Sequence, residues 1–147
     1  MAERVLVWLL IERDGAVLLV NRKRPPFREV WVLPGDTMSE EESASETAAR
    51  VLRDDFGVEV EGEEFLETLR LEEGGVEYAV NVFRVATDGR PRHRESGPYA
   101  EVGWAAPSEL GELDIQLPPP LLDLLERLGS AEGPRPSAGG TEVSPES

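Results

Sequence analysis

An uninterrupted apolar run near the start of the chain, Val5 to Ile11, constrains the fold more than any other feature. Apolar residues in unbroken succession leave no polar face, which is typical of a strand buried on both sides. The run is far too short to cross a bilayer as a helix, which takes about 20 apolar residues. Asp14-Gly15 is a turn signal, so we predict an opening β-hairpin that pairs Arg4–Ile11 with Ala16–Asn21.

Turn signals and apolar periodicity divide the rest of the chain into short strands and two helices. A basic loop, residues 22–28, carries prolines that exclude a central strand, and a short strand, Val30 to Leu33, follows it. Ser43 and Glu46 form a capping box that predicts a helix start. The later predicted elements are a helix over about 44–55 closed by Gly57, strands over about 63–71, 76–86 and 102–104, and a helix over 118–128. Hairpins with two intervening helices indicate a layered α+β or α/β domain.

Length and composition indicate one globular domain. A chain of 147 residues suits a single core, and at 39% hydrophobic it is too apolar for a wholly disordered acidic protein. The sequence contains no cysteine, which excludes disulfides and thiolate sites. We predict a domain over residues 1–129 and a disordered tail, rich in Ser, Gly, Pro and Glu, over residues 130–147. Residues 1–11 lack a signal-peptide cleavage site, so we expect a cytoplasmic location.

The formal charge of -15 is concentrated in one stretch of the chain. Residues 39–73 hold thirteen acidic residues against three arginines. A net anion disfavours a nucleic acid as partner, and no apolar segment is long enough to predict a membrane span. Most charge runs are solvated helix faces, but this one also contains carboxylates that could bind a cation.

Two adjacent carboxylates, Asp54 and Asp55, fall at the end of the predicted helix. Helical spacing places them on one face with Val51 and makes Asp54 an i, i+4 partner of Arg50. Mg²⁺ accepts one or two carboxylates and completes its octahedron with water and substrate phosphates. The C-terminal end of a helix disfavours anions, so a bound cation would relieve the repulsion there. Spacing alone leaves open a cation site or two carboxylates that face water.

The segment over residues 31–58 resembles the signature of Nudix hydrolases; it is WVLPGDTMSEEESASETAARVLRDDFGV. The signature is G-x5-E-x7-R-E-U-x-E-E-x-G-U, in which U is apolar, and it usually follows W-x-L-P-G. The matching signature positions are Glu42, Arg50, Leu52, Gly57 and Val58. Asp54 and Asp55 replace the two late glutamates, whereas Asp36 replaces the first glycine and Val51 the glutamate after the arginine. The flanking segments agree as well, so the resemblance spans about residues 4–128.

The resemblance implies an α/β fold, a Nudix-like α/β/α sandwich with a mixed sheet. In such a fold the signature forms a loop–helix–loop that holds a divalent metal, Mg²⁺ or Mn²⁺, against a diphosphate. Carried over to this chain, the implied catalytic residues are Asp54 and Asp55, as the surviving metal ligands, and Glu42 and Arg50, as residues that brace the loop. The candidate substrate contacts are Gly35 in the signature loop and, in the basic loop, Arg22 and Arg24, whose guanidinium groups suit phosphate oxygens.

The two outright departures from the signature weaken the implied metal site. Val51 removes one of three carboxylates, and the loss of a ligand charge weakens the binding of a hard dication. A relocated site would compensate for this loss if Asp36 joined Asp54 and Asp55 as a metal ligand. Glu101, beside the late strand, is a further candidate ligand. Without such compensation, either catalysis has been lost or Val51 is a substitution that faces solvent.

Three functions are consistent with these observations. The leading hypothesis is a hydrolase that cleaves a diphosphate linkage in a nucleoside diphosphate derivative with a divalent metal. The alternative is a catalytically impaired Nudix domain that binds a nucleotide or a protein partner. The third is an acidic interaction module with the same fold. The expected ligand is a small phosphorylated molecule, with neither a nucleic acid nor a membrane as partner, and a homodimer is left open.

Overall fold

The computed structural model describes residues 4–24, 26–28, 30–112 and 116–132. Its elements in chain order are β1 (Arg4–Arg13), β2 (Ala16–Arg22), β3 (Trp31–Val32), β4 (Gly35–Thr37), α1 (Ala44–Val51), a π-helical turn (Leu52–Phe56), β5 (Val60–Glu73), β6 (Val76–Thr87), β7 (Tyr99–Ala105), a 3₁₀-helix (Pro107–Glu112) and α2 (Pro119–Glu132). Helix α2 runs past residue 129, and the remainder of the predicted tail, residues 133–147, lies outside the described residues. None of the helices described here is long and apolar enough to cross a membrane.

The opening apolar run forms the central strand β1. Residues Leu6 to Ile11 are each at most 4% exposed, as the unbroken apolar pattern predicts. Strand β1 pairs in parallel with β6 and antiparallel with β4, and its last residues pair with β2. The predicted hairpin is confirmed, and its turn lies at Asp14 and Gly15, which both have positive φ.

The strands form one mixed sheet that brings three chain segments together at the signature. The order is β3-β2-β1-β6-β5, with β4 added on β1 and β7 added on β2. Gly35 pairs in register with Trp8, and Arg22 at the end of β2 pairs with Tyr99 at the start of β7. The α/β class with a mixed sheet is therefore confirmed, and it places the basic loop, the signature loop and β7 side by side.

The helix of the signature segment begins as predicted and ends differently. Ser43 and Glu46 form the predicted capping box at the start of α1. The α-helix stops at Val51, and a π-helical turn, Leu52–Phe56, continues the chain to Gly57. Gly57 has a φ of 70°, a left-handed conformation that glycine adopts without steric cost, so it is the predicted C-terminal cap.

Candidate functional site

The signature loop starts at Gly35, which packs directly against the central strand. A Cβ atom at this position would overlap the carbonyl oxygen of Val7, so only glycine fits. The Gly35 N–H donates to the hydroxyl of Tyr99 at 3.1 Å, and the Gly35 carbonyl lies 3.2 Å from the same hydroxyl. Nη1 of Arg22 donates to that carbonyl at 3.3 Å. Arg22 and Gly35, two of the sequence-predicted substrate contacts, therefore lie together.

Glu42 and Arg50 form a two-pronged ion pair between the loop and α1. Nε of Arg50 lies 2.7 Å from Oε2 of Glu42, and Nη2 lies 3.0 Å from Oε1. The Thr47 hydroxyl lies 3.0 Å from the same carboxylate. Hydrogen bonding to Arg50 lowers the pKa of Glu42 to about 2, and the pair raises the pKa of Arg50 in return. These contacts suit the bracing role that the signature implies for both residues.

Asp36 also binds Arg50, and we call the cluster of Glu42, Arg50 and Asp36 the brace. Oδ2 of Asp36 accepts a hydrogen bond from Nη1 of Arg50 at 3.0 Å, and its Oδ1 accepts one from the N–H of Thr37 at 2.7 Å. Among the described residues, no group of three or more acidic or histidine side chains is arranged to hold a metal ion. Asp36, Asp54 and Asp55 therefore do not form a preassembled three-carboxylate site.

Val51 lies in the hydrophobic core with 1% exposure, so the hypothesis that it faces solvent is wrong. Asp54, which was predicted to share its face, is 60% exposed at the side chain and lies 3.7 Å from Nε of Arg53. The predicted Arg50–Asp54 pair is also wrong, because Arg50 is engaged in the brace. Val51 is buried because it lies on the face of α1 that also buries Thr47 and Ala48. The π-helical turn explains the second correction, since it departs from the α-helical i, i+4 spacing beyond Val51.

Asp55 is the partly buried carboxylate of the turn. Its Oδ2 lies 3.2 Å from the hydroxyl of Tyr99. Burial raises the pKa of Asp55, and the negative charges of Asp36 and Asp54 raise it further, while the Tyr99 hydrogen bond acts in the opposite direction. A cation bound at this position would relieve the repulsion between these carboxylates.

Tyr99 connects the loop to the turn, and the sequence reasoning missed it. The residue is 1% exposed, and its hydroxyl contacts both Gly35 and Asp55. Its ring stacks on Phe56 with centroids 5.4 Å apart and an interplanar angle of 17°. One available signal was its place just before a predicted strand, since a buried tyrosine needs a partner for its hydroxyl.

The basic loop forms one wall of a cleft beside Gly35. The cleft has a volume of about 450 Å³ and is lined by Arg22, Lys23, Arg24, Ser96, Gly97 and Pro98. Nε of Arg22 is buried without a hydrogen-bond partner, and Nζ of Lys23 donates to the carbonyl of Glu95 at 2.5 Å. Glu101 is exposed on β7, in register with Asn21. The structure thus places Arg22 against the signature loop, places Arg24 beside Arg22 in the cleft, and leaves Glu101 at the surface.

The donors at this site fit a divalent cation that arrives together with phosphate groups. Asp54 and Asp55 are adjacent carboxylates, and the Gly35 carbonyl is linked to Asp55 through one hydroxyl. Oxygen donors of this kind suit Mg²⁺, which is usually bound through one or two carboxylates plus substrate phosphates and retains several waters. Burial raises the pKa of Asp55, and the charges of Asp36 and Asp54 raise it further; a bound cation would favour the charged form of this carboxylate.

Comparison with known proteins identifies the family. The family model described as NUDIX domain matches residues 2–128. The chain belongs to the Nudix family. Its fold is similar to the crystal structure of a MutT NUDIX hydrolase from Burkholderia pseudomallei, with a TM-score of 0.75 and 27% identity over 87% of this chain and 99% of that one. It is also similar to the solution structure of the E. coli ORF135 protein, with a TM-score of 0.72 and 25% identity over 93% of this chain and 96% of that one.

A curated relative matches over a shorter segment. The low-salt glycan biosynthesis protein Agl8 of Haloferax volcanii is 38% identical over 56 residues, which are 38% of this chain and 36% of that protein. The matched segment thus spans about a third of that relative. The family assignment and the α/β/α sandwich expected from the signature are confirmed. Nudix hydrolases generally use divalent metals and act on small nucleotide derivatives.

Proposed function

We propose that this Nudix domain hydrolyses a diphosphate linkage in a nucleoside diphosphate derivative, with Mg²⁺ or Mn²⁺ as the metal. The observation that carries the proposal is the chain of contacts from Asp55 through Tyr99 to Gly35. It holds a carboxylate and a carbonyl oxygen in one place, at the point where the repulsion between acidic groups favours a cation. Family membership supplies the reaction class, and the Glu42–Arg50 brace supports the loop.

In this proposal the acidic side chains would bind the cation, and the basic side chains would bind the substrate. Asp54 and Asp55 would hold the divalent ion, which supplies neutralisation of the diphosphate oxygens and activation of water. Arg22 would donate to a phosphate oxygen, because its buried Nε has no protein partner and Arg24 lines the same cleft. Water would add to one phosphorus, and the second phosphate would leave with the bridging oxygen. The proposed ligand is therefore a small phosphorylated molecule.

A second candidate function is nucleotide binding without turnover, and the position of Val51 favours it. The signature has glutamates at the positions of Val51, Asp54 and Asp55. Val51 is a core residue here, so only the two aspartates remain as carboxylate ligands. Fewer ligand charges weaken metal binding, whereas phosphate contacts from the basic loop do not depend on them. A domain of this kind would bind the same ligands and release them unchanged.

A turnover screen separates the two functions. Wild-type protein is incubated with nucleoside diphosphate derivatives and Mg²⁺ or Mn²⁺, and products are resolved by ion-exchange chromatography. We expect metal-dependent turnover, with kcat/KM lowered by about 100-fold or more in Asp55→Ala. Glu126→Ala is the matched control, since Glu126 is an exposed acidic residue on α2. Protein that turns over no derivative but gains thermal stability with one of them would instead support binding without turnover.

A further inference from the structure

We infer that Tyr99 is the positioning residue of this site, whose hydroxyl holds the Asp55 carboxylate and the Gly35 carbonyl in the arrangement that receives the cation. The inference rests on the proposed function and adds a residue that the signature does not contain. Tyr99 lies on β7, 44 residues from Asp55 and 64 residues from Gly35 in the sequence. It therefore couples the late strand to both ends of the signature segment.

The Tyr99 hydroxyl has three hydrogen-bonding neighbours but only one proton to donate. It accepts a hydrogen bond from the N–H of Gly35, and two acceptors, the Gly35 carbonyl and Oδ2 of Asp55, each lie 3.2 Å away. A phenol has one proton, so it can donate to only one acceptor at a time. The charged carboxylate is the stronger acceptor. Donation to Asp55 then leaves the Gly35 carbonyl with Nη1 of Arg22 as its donor, at 3.3 Å, and with a second lone pair that is not used by Tyr99.

The Tyr99 ring is held firmly enough to impose this geometry. It is 1% exposed and stacks on Phe56, the residue next to Asp55. The backbone of Tyr99 pairs with Arg22 across β2 and β7. The phenol hydroxyl carries one proton and can therefore donate it to an acceptor in this fixed position. A fixed donor restricts the rotation of the Asp55 carboxylate, whose position would otherwise vary on the turn.

A double-mutant cycle on Mn²⁺ affinity tests this role. Free Mn²⁺ is measured by its electron paramagnetic resonance signal with wild type, Tyr99→Phe, Asp55→Asn and the double variant. Loss of a group that orients a metal ligand typically weakens metal binding 10–100-fold, so we expect about a tenfold loss in Tyr99→Phe. We expect no further loss when Tyr99→Phe is added to Asp55→Asn. Tyr78→Phe is the matched control, because Tyr78 is the only other tyrosine, and it lies on β6 with its ring against Phe27.

Each outcome of the cycle bears on one of the two claims. An equal loss from Tyr99→Phe in both Asp55 backgrounds would mean that the hydroxyl acts on the fold, and this would overturn the positioning role. Unchanged Mn²⁺ affinity in Tyr99→Phe, with a clear loss in Asp55→Asn, would overturn the inference and leave the proposed function standing. Wild type that binds Mn²⁺ no better than Asp55→Asn would overturn the proposed metal site, and the inference with it.

A measurement without substitution in the site covers the case in which Tyr99→Phe fails to fold. The chain has two tyrosines, so incorporated 3-fluorotyrosine gives two fluorine resonances, which Tyr78→Phe assigns. Paramagnetic Mn²⁺ is expected to broaden the Tyr99 resonance at concentrations that leave the Tyr78 resonance sharp. Equal broadening of both resonances would contradict a cation held beside Tyr99.

Discussion

The two ends of the signature segment differ in how completely their charges are paired. At the loop end, Arg50 bonds to Glu42 and Asp36, and the pKa of Glu42 falls to about 2. At the turn end, Asp54 is exposed, and the pKa of Asp55 is raised by burial and by neighbouring carboxylates. Paired charges stabilise the loop. At the turn, the carboxylates repel one another, and a bound cation would remove this repulsion and gain affinity from doing so. We propose that the first end is a scaffold and that a ligand gains affinity at the second.

Val51 marks the boundary between the two ends. The α-helix stops at this residue, and its side chain is buried in the core. The departure from the signature therefore serves packing in this protein. The cation site that we propose is therefore left to the π-helical turn that follows, Leu52–Phe56, with its two aspartates.

The largest expected effect comes from placing a carboxylate at the boundary. Val51→Glu should lower the free energy of unfolding by about 3 kcal/mol or more, because it buries a charge without a partner. Urea unfolding with and without Mg²⁺ measures this, and Val51→Ala controls for lost packing. Unchanged stability of Val51→Glu without metal would show that this side chain reaches solvent or the cation site, and the boundary between the two ends would not lie at this residue.

A smaller loss is expected when the brace is removed. Arg50→Ala leaves two carboxylates without their partner and should cost about 1–2 kcal/mol, discounted for solvent exposure. The control is Arg53→Ala, since Arg53 lies on the same segment and only approaches Asp54 at 3.7 Å. Chemical unfolding at pH 7 compares the two variants. Equal losses in both would contradict the assignment of the loop end as the paired end.

The contribution of Glu42 should disappear at acid pH. Its folded-state pKa of about 2 lies below the ordinary value of 4.5, so its stabilising effect is present above pH 4.5 and is lost as the pH falls toward 2. Glu42→Gln should therefore be less stable than wild type at pH 7, and the difference should shrink through this window. Urea midpoints at several pH values test it, with Glu126→Gln as control. A difference that stays constant with pH would contradict the ion pair.

The smallest expected effect on the free energy of unfolding is that of Asp55→Asn, and unlike the others it is not a loss of stability. Because the folded-state pKa of Asp55 is raised, its contribution to stability falls as the pH rises through the range between its unfolded and folded values. Asp55→Asn should therefore be at least as stable as wild type at pH 7, while losing metal-dependent turnover. A clear loss of stability, measured by chemical unfolding at pH 7, would show that the turn is paired in the same way as the brace.

The sequence predicted the parts of this contrast that depend on local patterns. The hairpin at Asp14 and Gly15 and the helix start at Ser43 follow from residues near each other in the chain. Apolar periodicity does not distinguish an α-helical from a π-helical turn over so few residues, which is why the predicted i, i+4 relation between Arg50 and Asp54 was wrong. Tyr99 could not be connected to Gly35 from the sequence, because strand pairing brings these residues together.

The brace was predictable in part. The resemblance implied that Glu42 and Arg50 both brace the loop, and the structure shows that they do so through a direct contact. The role of Asp36 depends on where its carboxylate points, and spacing gave no direction. In the structure it points to Arg50, which binds it into the brace.

Thermal unfolding with added Mn²⁺ shows at which end of the signature segment a cation binds, when wild type is compared with Asp55→Asn and Asp36→Asn. A ligand that binds only the folded protein raises the unfolding temperature. We predict that Mn²⁺ raises this temperature in wild type and in Asp36→Asn, whose amide can still contact Arg50 through its oxygen, but not in Asp55→Asn. Loss of the response in Asp36→Asn with its retention in Asp55→Asn would contradict this prediction, because it would place the cation at the loop end.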